Sequence, residues 1–202
     1  MVVIGLVGNI GSGKSLAAKY LEEKGAAIID ADKIARDIVM PHKPAWQKIV
    51  SAFGQAYLLP DKNINRRMLA EKIFSDQKSR ELLNSITHPY LYEEAQKKIL
   101  AWQKKGVSVI VLEAAILLES EFTDLVDEIW LVVAGKELLL SRLKNRDNLS
   151  QQEIEKRLSS QMLPQEQMKL ADKIIYNEQS VNDLRQKIYD LYDECQKIYA
   201  KG

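Results

Sequence analysis

One cysteine, two histidines, five prolines and three phenylalanines are all that 202 residues contain of these types, and each scarcity closes off a class of protein. The lone Cys195 excludes an intramolecular disulfide framework and any multi-cysteine zinc or iron–sulfur centre, and it fits a reducing compartment. His42 and His88 are too few for a histidine-rich metal site. An excess of one charge is also missing: 29 basic residues stand against 28 acidic ones, a formal charge of +1. Binding a polyanion by bulk charge needs a net basic face, so no nucleic-acid partner is expected. No apolar run approaches the ~18 residues of a membrane helix, so no membrane association is expected either. Met1 to Val7 is apolar and the first basic residue is Lys14, whereas a secretory signal carries its positive charge ahead of the apolar stretch. The expectation is a soluble cytoplasmic protein. Repeats and low-complexity segments are absent.

What is present is ordinary globular material, 46% apolar and 28% charged. A chain of this length buries roughly 70% of its unfolded surface and needs no staple. Val2 to Val7 is a short, β-branched apolar run ended by glycines, the pattern of a strand buried on both faces. Leu16, Ala17, Tyr20 and Leu21 recur at helical spacing between Lys14 and Lys24, and Gly25 stops the helix. A second strand follows at Ala26 to Ile29. Strand, glycine-rich loop, helix and strand make a βαβ unit and imply a parallel sheet with right-handed crossovers. Residues 107–112, 128–134 and 173–176 supply three further strands. Between the second and third strands, residues 41 to about 105 hold Pro41, Pro44 and Pro60. Helical patterns lie at Ile64 to Phe74 and Leu91 to Trp102, the latter opened by His88-Pro89. This is long for one crossover and reads as a helical insertion. Charged helices at about 136–146 and 151–163 come next. A stripe of Val181, Leu184, Ile188, Leu191, Cys195 and Ile198 on the last helix reads as core.

Chemistry concentrates first in Gly8-Asn9-Ile10-Gly11-Ser12-Gly13-Lys14-Ser15, which satisfies G-x-x-x-x-G-K-[ST] between a strand and a helix. Glycines at 8, 11 and 13 allow a nest of inward N–H groups for phosphate oxygens, and the helix beginning near Gly13 adds its positive end. Lys14 is expected to reach the β- and γ-phosphates and Ser15 to ligate Mg²⁺. No Asn-Lys-x-Asp guanine signature is present, which favours ATP. Asp30-Ala31-Asp32 ends the second strand, where ligands of open parallel sheets collect. A carboxylate there can orient a hydroxyl, accept its proton or hold Mg²⁺ through water, or one of the pair can cap a helix over Lys33 to Val39. Val109 to Glu113 is an apolar strand ending in an acid, and Glu113 is a candidate for organising the metal. Arg142 and Arg146 share a helix face, with Arg157 beyond. Such arginines neutralise a transferring phosphoryl group when a lid delivers them, or simply line a solvated face. A histidine at the start of a helix, as His88 reads, commonly caps or packs, and phosphoryl transfer needs none.

Taken together, these segments resemble the dephospho-coenzyme A kinases. The likeness runs through the phosphate loop, Ile29-Asp30-Ala31-Asp32-Lys33-Ile34-Ala35-Arg36, Arg66-Arg67, Ile86-Thr87-His88-Pro89 and Leu117-Leu118-Glu119. It continues through Arg142, Arg146-Asp147, Leu149-Ser150, Arg157, Gln161-Met162, Ala171-Asp172 and Asn177. The resemblance implies an α/β fold: a P-loop kinase core with a parallel five-stranded sheet flanked by helices. The core would take about 1–40, 106–135 and 172–202, a helical substrate-binding insertion about 41–105 and a helical lid about 136–171. It implies ATP and Mg²⁺ as cofactors and transfer of the γ-phosphate to the ribose 3′-hydroxyl of dephospho-coenzyme A, giving coenzyme A and ADP. Asp32 corresponds to the base, and Lys14 and Arg146 to phosphate stabilisers. The ATP site would comprise Gly8, Gly11, Ser12, Gly13, Lys14, Ser15, Leu16, Arg142, Arg146 and Asn177, the last near adenine. Arg36, His88 and Glu119 would join Asp32 on the substrate, and Ser15 and Glu113 would hold the metal. A monomer or small homo-oligomer is expected. Three departures stand out: Leu16 where many members have threonine, Asn9 for a common glycine, and Glu113-Ala114-Ala115-Ile116 for the commoner Asp-x-Pro-Leu. From the residues alone, a kinase of the same fold acting on another hydroxyl compound, or an ATP-operated switch, remains an alternative.

Overall fold

A computed structural model describes residues 1–114, 117–119, 121–147, 150–159 and 161–199, apart from the side chains of 119, 121, 145–147, 156 and 157. Strands β1 (Val2–Val7), β2 (Ala27–Asp30), β3 (Val109–Glu113), β4 (Glu128–Val133) and β5 (Lys173–Tyr176) form one parallel sheet. Their order is β2-β3-β1-β4-β5. Every residue of the central strand β1 is buried, which is why its sequence is continuously apolar rather than alternating. Helices are α1 (Lys14–Glu23), α2 (Ala31–Ile38), α3 (Pro44–Phe53), α4 (Arg66–Ser75), α5 (Gln77–Lys104), α6 (Lys136–Asp147), α7 (Gln151–Ser159), α8 (Pro164–Leu170) and α9 (Val181–Tyr199).

The chain divides into two compact units, residues 1–30 with 98–202, and residues 31–97. In the first, α1 and α9 close over the sheet. Ala17, Leu21, Leu184 and Ile188 pack there with Ile4, Val111, Trp130 and Ile175. The second has its own small core of Ile49, Ile64, Leu69 and Ile86, flanked by Trp46, Phe53 and Tyr57. In that unit the only β pairing among the described residues is the isolated antiparallel bridge between Leu58 and Ile64. No helix of the described residues is long and apolar enough to cross a membrane.

Register decides where the chemistry sits. Leu6 pairs with Glu113 and Asp30 pairs with Glu113, so the carboxyl ends of β1, β2 and β3 lie level. The glycine-rich loop leaves β1 at that edge, between its neighbours β3 and β4. This is the edge at which open α/β sheets bind ligands.

Several expected boundaries are corrected. Helix α2 starts at Ala31 rather than Lys33. Asp30 therefore directly precedes the helix and Asp32 lies in its first turn, where the helix's positive end favours an acid. His88-Pro89 does not open a helix, because α5 runs unbroken through both residues. A proline removes one helical hydrogen bond, but Ile86, Leu91, Ala95 and Ile99 are buried along the same helix, and packing overrides the local preference. The second charged helix stops at Ser159, and Pro164 begins a separate helix, α8. On α9 the buried face is Leu184, Ile188, Tyr192 and Cys195, while Val181 and Ile198, expected in the core, are exposed.

Burial, reinforced by the nearby Glu128 carboxylate, pushes the Cys195 thiol up to about 11. Only the thiolate reacts readily. The native protein is therefore expected to resist a disulfide thiol reagent at pH 8 and to yield its one thiol at once in denaturant. Prompt labelling of folded protein at pH 8 would contradict the packing of α9.

Candidate active site

The loop from Gly8 to Ser15 takes its shape from two close approaches. A Cβ on Gly8 would lie 2.5 Å from the Val132 carbonyl oxygen, against the backbone of β4. At Gly13, φ is +97° and a Cβ would collide with the Asn177 side-chain amide. Left-handed backbone and lack of room both demand glycine there. The turn closes through the Ser12 N–H, which donates to the Asn9 carbonyl at 3.0 Å, and α1 then starts at Lys14 with Gly13 as its N-cap.

Two loop side chains converge on β3. Lys14 Nζ and Ser15 Oγ both donate to Glu113 Oε1, at 2.8 and 2.7 Å. Lys14 and Glu113 are 13% and 12% exposed, so this is a largely desolvated charge-assisted contact, stronger than one in open water. Among the described residues no group of three or more His, Cys, Asp or Glu could hold a metal. A serine hydroxyl beside a single carboxylate is instead the hard, oxygen-only donor set that suits Mg²⁺, which draws further ligands from phosphate and water.

The outer side of the loop is tied to the end of the chain. Asn177, directly after β5 and 6% exposed, donates from Nδ2 to the Ser12 carbonyl at 2.7 Å. Arg142 on α6 donates from Nη2 to the Asn177 carbonyl at 3.1 Å, with longer approaches at 3.5 Å to Asn177 Oδ1, Gly11 O and Ser12 O. Gln161 Oε1 accepts from the Ile10 N–H at 3.1 Å. Leu16, counted with the nucleotide-binding loop, turns its side chain to the sheet core. Two buried polar atoms in the loop, Ser12 Oγ and Asn9 Oδ1, have no hydrogen-bond partner among the described residues. Buried polar groups are rarely left so, and here they border a loop shaped for phosphate.

The remaining expected site residues divide by unit. Asp30 and Glu113 stand side by side at the ends of β2 and β3. Asp32, Arg36 and His88 belong to the second unit. Asp32 and Arg36 are exposed on α2, and Arg36 Nε donates to the Asp32 backbone carbonyl at 3.1 Å, while Arg66 reaches the Arg36 carbonyl at 3.4 Å. His88 is half-buried on α5. Residues 115, 116 and 149 and the side chains of Glu119, Arg146 and Arg157 lie outside the described part. Asp172, part of the family-like string, serves the sheet: its carboxylate accepts from the Ile129 N–H at 2.7 Å. Sequence reasoning assigned no role to Gln161 and missed Asn177 as a partner of Ser12, since no spacing rule links such distant positions.

The family model for dephospho-CoA kinase matches residues 2–183. A dephospho-CoA kinase of Carboxydothermus hydrogenoformans is 44% identical over 186 residues, 92% of this chain and 90% of that one. Among solved structures, dephospho-CoA kinase from Campylobacter jejuni aligns with a TM-score of 0.72 at 29% identity, covering 96% of this chain and 97% of the other. Shikimate kinase from Acinetobacter baumannii, at 18% identity and a TM-score of 0.55 over 96% and 94% of the two chains, shares the fold alone. With its phosphate loop, acid-tipped third strand and parallel sheet in the expected arrangement, this chain belongs to the dephospho-CoA kinase family.

Proposed function

We propose that this kinase moves the γ-phosphate of ATP onto the ribose 3′-hydroxyl of dephospho-coenzyme A in an in-line displacement, with Lys14 as the phosphate stabiliser and Asp32 as the base. The observation that carries the site assignment is the convergence of Lys14 and Ser15 on the Glu113 carboxylate, which puts a cation, a hydroxyl and an acid beside the loop that cradles phosphate. In the transfer the 3′-oxygen forms a bond to the γ-phosphorus as the bond to the β-phosphate oxygen breaks. ADP leaves with the electron pair, and the hydroxyl proton passes to the Asp32 carboxylate. Catalysis of this kind is mostly positioning and charge stabilisation. Lys14, already beside the loop, exchanges the Glu113 carboxylate for phosphate oxygens when the nucleotide binds. Mg²⁺ fits the Ser15 hydroxyl and the Glu113 carboxylate and would neutralise charge on the β- and γ-phosphates when bound.

Asp32, Arg36, His88 and Glu119 hold the acceptor in this scheme, with residues 41–105 as its binding segment. Residues 136–171 act as a lid that brings Arg142 and Arg146 to the nucleotide and excludes water. The N–H groups of Gly11, Gly13 and Ser15 face the phosphates. The protein works in the cytoplasm as a monomer or small homo-oligomer, without nucleic acid or membrane. The test is ADP release from Mg-ATP with and without dephospho-coenzyme A, with AMP and adenosine as control acceptors. Stimulation by dephospho-coenzyme A alone is expected. Equal stimulation by AMP would reassign the acceptor, and no stimulation by any acceptor with ATP still bound would end the transfer scheme.

A further inference from the structure

Asn177 stands in the sequence resemblance as a residue near adenine, yet its surroundings describe a different task. Its backbone N–H donates to the Val133 carbonyl at 2.7 Å, which extends the β4–β5 pairing and fixes its backbone. Its side chain is buried, donates from Nδ2 to the Ser12 carbonyl at 2.7 Å, and occupies the space a Cβ on Gly13 would need. Its oxygens face the Arg142 guanidinium. This partnering also sets the amide orientation, since the flipped amide would place oxygen against oxygen at Ser12 and nitrogen against Arg142. One N–H is spent on Ser12, and at 6% exposure the rest of the amide is enclosed and out of easy reach of a base.

The bond to Ser12 has a geometric consequence. In a trans peptide the C=O of one residue and the N–H of the next point in opposite directions within one plane. Holding the Ser12 carbonyl toward Asn177 therefore aims the Gly13 N–H the other way. We propose that Asn177 is a positioning residue of the phosphate loop: its amide, lodged where Gly13 lacks a side chain, holds the Ser12–Gly13 peptide so that the Gly13 N–H faces the nucleotide phosphates, and it does not read the base. Glycine at position 13 and asparagine at position 177 then form one device, 165 residues apart along the chain from Ser12 to Asn177. The inference rests on the loop binding the β- and γ-phosphates.

The experiment compares Asn177→Ala and Asn177→Asp with the unaltered protein, titrating ATP, GTP and inorganic tripolyphosphate and measuring kcat and KM for ATP. Asn177→Asp keeps the shape and loses the donor. Both variants are expected to bind all three ligands more weakly by a similar factor, roughly tenfold, with the ATP-to-GTP ratio preserved and KM raised more than kcat falls. Weaker ATP binding with tripolyphosphate unaffected, or a changed ATP-to-GTP ratio, would make Asn177 a base reader and overturn the proposal. Unchanged binding of all three, or a loss in Asn177→Ala alone, would reduce the contact to space filling. Lys14→Ala titrated with the same ligands separates the two levels, because undiminished phosphate binding in that variant sinks the phosphate-loop assignment itself.

Discussion

Lys14→Ala is expected to lower kcat by about 10³-fold while leaving the fold intact. Lys14 Nζ is held at 2.8 Å from Glu113 Oε1, so the cation is already directed to the inner edge of the phosphate loop. Charge that develops on the transferring phosphoryl oxygens is stabilised by a cation already poised beside them, and Lys14 needs only to exchange Glu113 for phosphate. Truncation leaves the Glu113 carboxylate, 12% exposed, with the Ser15 hydroxyl at 2.7 Å and without its cation, which costs some stability. The melting temperature should therefore fall modestly while turnover collapses. The readout is ADP release at saturating acceptor, beside a thermal melt. A variant turning over within a few-fold of the unaltered protein would remove Lys14 from the chemistry. A variant that melts far lower would show that the Lys14–Glu113 pair is mainly structural.

Asp32→Asn is expected to spare ATP binding and to lower turnover by a factor of about 10² or more. The substitution keeps the shape of the side chain and removes its capacity to accept a proton. Asp32 is exposed in the first turn of α2, and the contact it receives from Arg36 goes to its backbone carbonyl, so the carboxylate is not consumed in holding the helix. Loss of activity in a variant with native stability and native ATP affinity would thus report on chemistry. Near-normal turnover would take Asp32 out of the role of base. Asp30 would then be the next candidate, since it ends β2 beside Glu113.

Local patterns were sufficient for much of this molecule. Strands β1 and β3 are short apolar runs, and a strand buried on both faces must be written that way, while β5 at the sheet edge is mostly exposed yet still rich in β-forming residues. The phosphate loop was legible because its glycines, lysine and serine fall within eight consecutive residues at a recognisable spacing, although the close approaches that require Gly8 and Gly13 come from Val132 and Asn177. Helix α1 was legible for the same reason, with apolar residues at helical spacing from a glycine start to a glycine stop. The acid at the end of β3 could be seen as a candidate, although its partners could not.

What escaped local reasoning depended on residues far apart in the chain. Helix α5 passes through Pro89 because packing at Leu91, Ala95 and Ile99 outweighs one missing hydrogen bond, a balance that no window around His88-Pro89 contains. Val181 and Ile198 sit in the first and last turns of α9 and stay exposed, while Tyr192 is buried with Leu184, Ile188 and Cys195, because the length of helix that the sheet and α1 cover is set outside the helix. Glu113 meets Lys14 across 99 positions, Gln161 meets Ile10 across 151 and Asn177 meets Ser12 across 165. By itself the sequence determined the strands, the loop and the kind of chemistry, since each is written in a contiguous run of residues. Only the tertiary structure decided which distant side chains meet the loop, because the register of β1 against β3 and of β4 against β5, together with the packing of the helical segments after β4, brings those positions together.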